Sequence, residues 1–135
     1  MSSKELETIV RYSRLQEEQQ EGFFDVEEFS TIISHFISRY EIAKAQLALN
    51  QGLAQHPGSF ELSMNRAYLN LCNGNPDACL KILGSLELVH PNNEEVLCMK
   101  AEAYGHRGDA AKGIRVLEAL IRNPRQLDII RPLVQ

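Results

Sequence analysis

Residues 60–93 read FELSMNRAYLNLCNGNPDACLKILGSLELVHPNN, and this stretch decides the fold. Ser59 is a candidate N-cap for a first helix, which we predict to end at Gly74 because glycine adopts the left-handed conformation without steric cost. Asn75 and Pro76 are typical of the N-cap and first turn of a second helix. One face of that helix is apolar at helical spacing, through Cys79, Leu80, Ile82, Leu83 and Leu86. The stretch therefore predicts a helix–turn–helix unit closed by His90 and Pro91.

The same features recur on both sides at intervals of 34 residues. Pro57 and Pro91 (91 − 57 = 34) each follow a histidine, and Gly74 and Gly108 (108 − 74 = 34) each precede a second helix. Three further sets share this period: Ala45, Cys79 and Gly113; Leu49, Leu83 and Leu117; Ile33, Ala67 and Ala101. A 34-residue period with two helices per unit resembles the tetratricopeptide repeat (TPR) family. The resemblance implies an all-α fold, in which antiparallel helix pairs at 26–59, 60–93 and 94–127 stack as a right-handed superhelix.

Two segments lie outside the array at 23–127. Residues 1–22 are predicted to form a leader helix and hinge, opened by a capping box of Ser2 and Glu5. We expect this helix to pack loosely, with insertion into the groove of the array as the alternative. Residues 128–135 are predicted to begin a further helix or cap. Their apolar character indicates either further repeats or burial against a second subunit.

The first repeat departs from the pattern of the other two. Its array begins with a capping box at Asp25 and Glu28, flanked by Phe24 and Phe29 as a hydrophobic staple. Tyr40 replaces the turn glycine, and a tyrosine at positive φ is strained by about 1–2 kcal/mol. We therefore expect this turn to adopt another conformation.

Small residues in a repeated phase predict close helix crossings. Enlarging one of them overpacks the crossing at a cost of about 1–3 kcal/mol. We accordingly expect Ala67→Leu to lower the melting temperature and Gln55→Leu to leave it unchanged.

Composition restricts the class of partner and the location. The net charge is −4 and the pI is about 5.6, which disfavours nucleic acid and anionic membranes as partners. No apolar run approaches the ~18 residues of a membrane span. Three cysteines without framework spacing are typical of a reducing compartment, so we expect a cytoplasmic protein.

The sequence carries no recognisable catalytic motif. It lacks a phosphate-binding glycine loop, HExxH, CxxC and GxSxG. His56 and His90 recur in phase, but neighbouring repeats would place them too far apart to share a metal. Their positions at helix ends favour a structural role, and Cys79 is predicted to be a packing residue. We expect a protein that is not an enzyme and binds neither a cofactor nor a metal.

The TPR resemblance implies a binding surface on the concave wall formed by the first helix of each repeat. In the first repeat this wall consists of Glu27, Ser30, Thr31, Ser34 and Ser38. In the others the predicted partner-binding residues are Glu61, Met64, Asn65, Tyr68, Leu71, Glu95, Cys98, Met99 and Glu102. Glu27, Glu61 and Glu95 share one phase and form an acidic ladder, although the helix dipole alone would favour them. Met64, Tyr68 and Met99 are the expected apolar anchors.

One subset of the family binds acidic chaperone tails through a clamp of lysines, asparagines and an arginine. At those phases this chain has Ser30, Ser34, Asn65, Glu95 and Met99, and only Asn65 matches. Because Glu95 would repel a carboxylate, the expected ligand is a protein or peptide of apolar and basic character.

Three further roles remain open at this point. The chain is alternatively a structural or oligomerisation segment of a larger repeat protein, or a dedicated chaperone for a secreted or assembling subunit. A homodimer through the apolar C-terminal end is a further candidate.

Overall fold

A computed structural model of the chain describes residues 1–122. This part is all-α and contains no strand. Its helices are α1 Ser3–Glu17, α2 Val26–Ser38, α3 Ile42–Gln55, α4 Phe60–Cys72, α5 Pro76–Val89, α6 Glu94–Arg107 and α7 Ala110–Arg122. The chain divides into two compact units, Met1–Leu69 (unit 1) and Asn70–Gln135 (unit 2). None of the described helices combines the length and the apolar character needed to cross a bilayer.

Side-chain caps fix the starts of five helices, as the sequence predicts. Ser2 and Asp25 form complete capping boxes with the glutamates three residues on. Side-chain oxygens of Ser59, Asn75 and Asn93 each accept the backbone N–H three positions later. These bonds satisfy amides that have no partner within the helix.

The turns within the three helix pairs are equivalent in backbone geometry. Tyr40, Gly74 and Gly108 have φ values of 59°, 76° and 88° and lie 34 residues apart. In each case the following N–H bonds to a carbonyl five residues back, at 2.9, 2.9 and 2.8 Å, for the pairs 41–36, 75–70 and 109–104. The expectation of another conformation at Tyr40 is therefore wrong. The hydrogen bond that closes this helix requires a left-handed residue, and the exposed Tyr40 side chain meets no obstruction there.

The turns between helix pairs also repeat. His56 and His90 are the C-caps of α3 and α5, with φ/ψ of −133°/68° and −124°/70°. Each backbone N–H bonds to a carbonyl four residues back at 2.8 Å. Two classes of turn thus alternate with a 34-residue period, which makes this an all-α chain with a helical repeat.

Helix α1 packs firmly on α2, contrary to the expectation of a loose leader. Ile9 and Tyr12 are buried, and the Tyr12 ring makes edge contacts with the rings of Phe24 and Phe36. The Tyr12 hydroxyl donates to Gln51 Oε1 of α3 at 2.7 Å. Sequence periodicity missed this packing because the aromatic ring of Tyr12 supplies most of it.

The connector between α1 and α2 is attached to the end of α3. Gln55 donates to the carbonyl of Gly22 at 2.9 Å and accepts the N–H of Phe24 at 3.2 Å. His56 Nε2 lies 2.7 Å from the Phe24 carbonyl oxygen. Gln55 is therefore a structural residue, and the expectation that Gln55→Leu is harmless is wrong. His56 has the structural role that was predicted for it.

Small residues do mark the close helix approaches. Ala45, Ala67 and Cys79 are fully buried. A Cβ added at Gly113 would lie 3.1 Å from the Ala101 carbonyl oxygen. At Gly52, the added atom would lie 3.1 Å from the Phe29 ring, which explains why this repeat lacks a bulkier residue there.

Unit 2 is built on α5, α6 and α7, in which α6 packs on both of the others. Leu83 and Val96 are fully buried, while Leu117 on α7 is 42% exposed. The leucine phase is therefore buried at positions 49 and 83 but not at 117. The calls for residues 128–135, the homodimer through that end included, lie outside the described residues.

Candidate functional site

A polar groove runs along α2 in unit 1, and we call it the α2 groove. It has a volume of about 350 Å³. Three helices line it, with Met1, Glu5 and Ile9 from α1, Glu27, Ser30, Thr31, Ser34, His35 and Ser38 from α2, and Glu61 from α4. All five first-repeat residues that the TPR resemblance placed on the binding wall are among them.

The amphipathic pattern of α2 creates the floor of this groove. Phe29, Ile33 and Phe36 are buried on one side of the helix. Positions 27, 30, 31, 34 and 38 follow the same helical spacing on another side and carry only carboxylate and hydroxyl groups. Folding the apolar side inward therefore leaves a continuous polar face toward the groove.

The carboxylates of the groove differ in how they are held. Glu5 belongs to the α1 capping box, and hydrogen bonding to Ser2, backbone first, lowers the pKa of Glu5. The positive chain terminus at Met1 adds a smaller effect in the same direction. Within residues 1–122, Glu27 and Glu61 form no ion pair. Two carboxylates therefore face the groove without an internal counterion.

The predicted binding residues of unit 1 have separate fates. Glu61 lines the groove, and Asn65 Nδ2 donates to Ser30 Oγ at 2.8 Å, which ties α4 to the groove floor. Tyr68 is 38% exposed, but Met64 is only 7% exposed. Met64 is thus an interior residue, and its predicted role as an exposed anchor is wrong.

The predicted binding residues of unit 2 lie on α4 and α6. Glu95, Cys98 and Glu102 are exposed, and Met99 is half-buried. Leu71 is 3% exposed, so it contributes to the interior rather than to a surface. Of the acidic ladder, Glu27 and Glu61 come together in the α2 groove, while Glu95 belongs to unit 2.

Sequence reasoning missed the contribution of α1 and of His35 to the groove. Glu5 was assigned only a capping role, and Ile9 only a place in a short apolar stripe. The available signal was the capping box itself, because a well-capped helix with a buried face must pack against a neighbour.

The cysteines have the properties of packing residues. Burial is the main cause that raises the pKa of Cys79 to about 11, with smaller effects from Glu102 and Cys72. Burial, followed by the charge of Glu94, also raises the pKa of Cys98. Since the thiolate is the nucleophilic form, both are poor nucleophiles at neutral pH. In the described part of the chain, no three His, Cys, Asp or Glu side chains are grouped as a metal site.

A second cavity of about 450 Å³ lies between α1, its connector and α3. Its polar lining is already engaged, since Gln51 bonds to Tyr12 and Gln16, and Gln55 bonds to the connector. This cavity is therefore a less suitable binding site than the α2 groove.

Comparison with protein-family models, curated proteins and solved structures finds no match to this chain. The repeat is consequently argued from the internal equivalence of its turns and caps.

Proposed function

We propose that this protein is a non-catalytic protein–protein interaction module of the TPR type. It binds a peptide or partner protein through exposed faces of the first helices of its repeats. The observation that carries this proposal is the α2 groove, an open polar channel on a helix whose other side is fully packed.

The repeated turns support the TPR assignment. Two turn classes recur at 34 residues with matching dihedral angles and hydrogen bonds. In helical repeats of this length, the surface that the packed core leaves exposed is the usual binding surface. The proposal includes a cytoplasmic location and the absence of a catalytic role, a cofactor or a metal.

The groove suits an extended segment better than a compact small molecule. Hydroxyl groups at Ser30, Thr31, Ser34 and Ser38 supply donors and acceptors along nearly the whole length of α2. Ile9 adds apolar surface on the α1 side. Tyr68 offers a partly exposed aromatic ring on α4. A peptide backbone with spaced side chains can use such a row of groups.

Filling the groove tests the proposal. Ser34 is exposed and lines the groove, so Ser34→Trp should obstruct it without disturbing the core. Ala43 is exposed on α3 outside the groove, and Ala43→Trp is the matched control. We expect wild type and Ala43→Trp to capture the same protein from a lysate of the source cells, and Ser34→Trp to lose it. Capture of nothing by wild type, or equal capture by all three, would contradict the proposal.

One observation favours a structural role as the second candidate. Ile114, Leu117 and Ile121 are 56%, 42% and 43% exposed at helical spacing on α7. Such a stripe is typical of an oligomerisation surface. Light scattering over a range of concentrations distinguishes this role, because the mass would then rise with concentration.

A further inference from the structure

The α2 groove has an unbalanced charge. Its lining contains Glu5, Glu27 and Glu61 but no lysine or arginine side chain. The one positive group among the lining residues is the chain terminus at Met1, which acts on Glu5. The groove therefore retains the charges of Glu27 and Glu61.

Other acidic residues of unit 1 are neutralised internally. Arg11 Nη2 lies 2.9 Å from Glu28 Oε2. Arg39 and Lys44 lie 3.5 and 3.6 Å from the carboxylate of Glu41. Glu28 is the immediate neighbour of Glu27 in sequence but faces α1 instead of the groove. The available cations of this region thus pair outside the groove.

The groove also contains partners for the remainder of a long cationic side chain. The Ile9 side chain provides apolar surface for a methylene stem. The hydroxyls of Thr31 and Ser34 accept hydrogen bonds from an ammonium or guanidinium group. Apolar, hydroxyl and carboxylate groups therefore occur together along one channel.

From this charge complementarity we infer that the α2 groove binds a basic segment of a partner protein, with Glu27 and Glu61 recognising its lysine or arginine side chains. Helix α1 is then a wall of the binding site. This inference rests on the proposed function and specifies the partner of the same site.

End-blocked decapeptides measured by fluorescence anisotropy test the inference. One probe carries three lysines in an alanine–leucine background, and a second has glutamine in place of each lysine. We expect the lysine probe to bind wild type at least about tenfold more tightly than the glutamine probe. Raising the salt from about 50 mM to about 500 mM should weaken binding of the lysine probe, since it screens exposed charges.

Matched double variants locate the effect in the groove. Glu27→Gln with Glu61→Gln should weaken binding of the lysine probe about tenfold or more. Glu7→Gln with Glu18→Gln changes the net charge equally at exposed positions outside the groove lining and should leave affinity within about twofold of wild type. Circular dichroism and urea midpoints verify that both variants fold.

Three results would overturn the inference: no binding of the lysine probe to wild type, equal binding of the glutamine probe, or equal losses in the two double variants. Spermine binding without peptide binding would also overturn it, in favour of a small polyamine site. A cellular partner lost on Ser34→Trp but retained by the Glu27–Glu61 variant would refute only this inference and leave the proposed function standing.

Discussion

Tyr40 holds a left-handed backbone conformation with φ of 59° while its side chain is 90% exposed. The side chain therefore gains little from packing to offset the backbone strain of about 1–2 kcal/mol. We predict that Tyr40→Gly raises the free energy of unfolding by about 0.5–1 kcal/mol in urea denaturation, because part of the gain is lost to the entropy of glycine in the unfolded chain. Gly74→Ala, at the equivalent φ of 76°, should lower it by a similar amount. Destabilisation by Tyr40→Gly would show that the tyrosine makes a favourable contact.

Tyr12 gives unit 1 a dependence on alkaline pH. Burial raises the pKa of Tyr12 from 10.0 to about 12. Between these values the unfolded chain has lost the phenolic proton while the folded chain retains it, so stability falls as pH rises. We predict a loss of about 1 kcal/mol between pH 8 and pH 11 that is absent from Tyr12→Phe.

The same variant should cost about 1 kcal/mol at neutral pH, since it removes the 2.7 Å bond to Gln51. Urea denaturation at several pH values measures both effects. Parallel pH profiles for wild type and Tyr12→Phe would show that the Tyr12 hydroxyl is not the titrating group.

At the scale of the helix, two glycines should respond oppositely to the same substitution. Gly52 in α3 faces the Phe29 ring and Leu62, with only 3.1 and 3.2 Å available for an added Cβ. Gly52→Ala should therefore destabilise by about 1–3 kcal/mol. Gly84 in α5 has no atom within 4 Å of that position, so Gly84→Ala should stabilise by about 0.5–1 kcal/mol. Thermal and urea unfolding would measure both, and equal signs would contradict the packing described for α3.

Helix boundaries were predictable because they depend on local chemistry. Ser2, Asp25 and Asn75 cap helices through bonds to residues three positions away. Burial was less predictable because it depends on neighbouring helices. Ser30, Met64 and Cys98 share one repeat phase, yet they are half-buried, buried and exposed. The polar face of α2 could be predicted from its spacing, whereas the wall formed by α1 required the tertiary packing of Tyr12.

At the scale of the whole molecule, one leucine phase compares the repeats directly. Leu49 and Leu83 are fully buried, and Leu117 is 42% exposed. Leu49→Ala and Leu83→Ala should each cost about 2–5 kcal/mol of unfolding free energy, and Leu117→Ala less than about 1 kcal/mol. Denaturant titration monitored by circular dichroism provides the values. A large cost at position 117 would show that the α7 stripe is covered in solution.

The position of Met1 has a practical consequence for how the protein is handled. Because Met1 lines the α2 groove beside Glu5, residues fused ahead of it would begin at the mouth of the channel. A polyhistidine tag at that point would be a tethered competitor at high effective concentration, partly cationic below about pH 6.5. Affinity measurements on such a fusion would report the displacement of its own tag. Cleaving the tag, or placing the affinity handle at the other terminus, removes that interference.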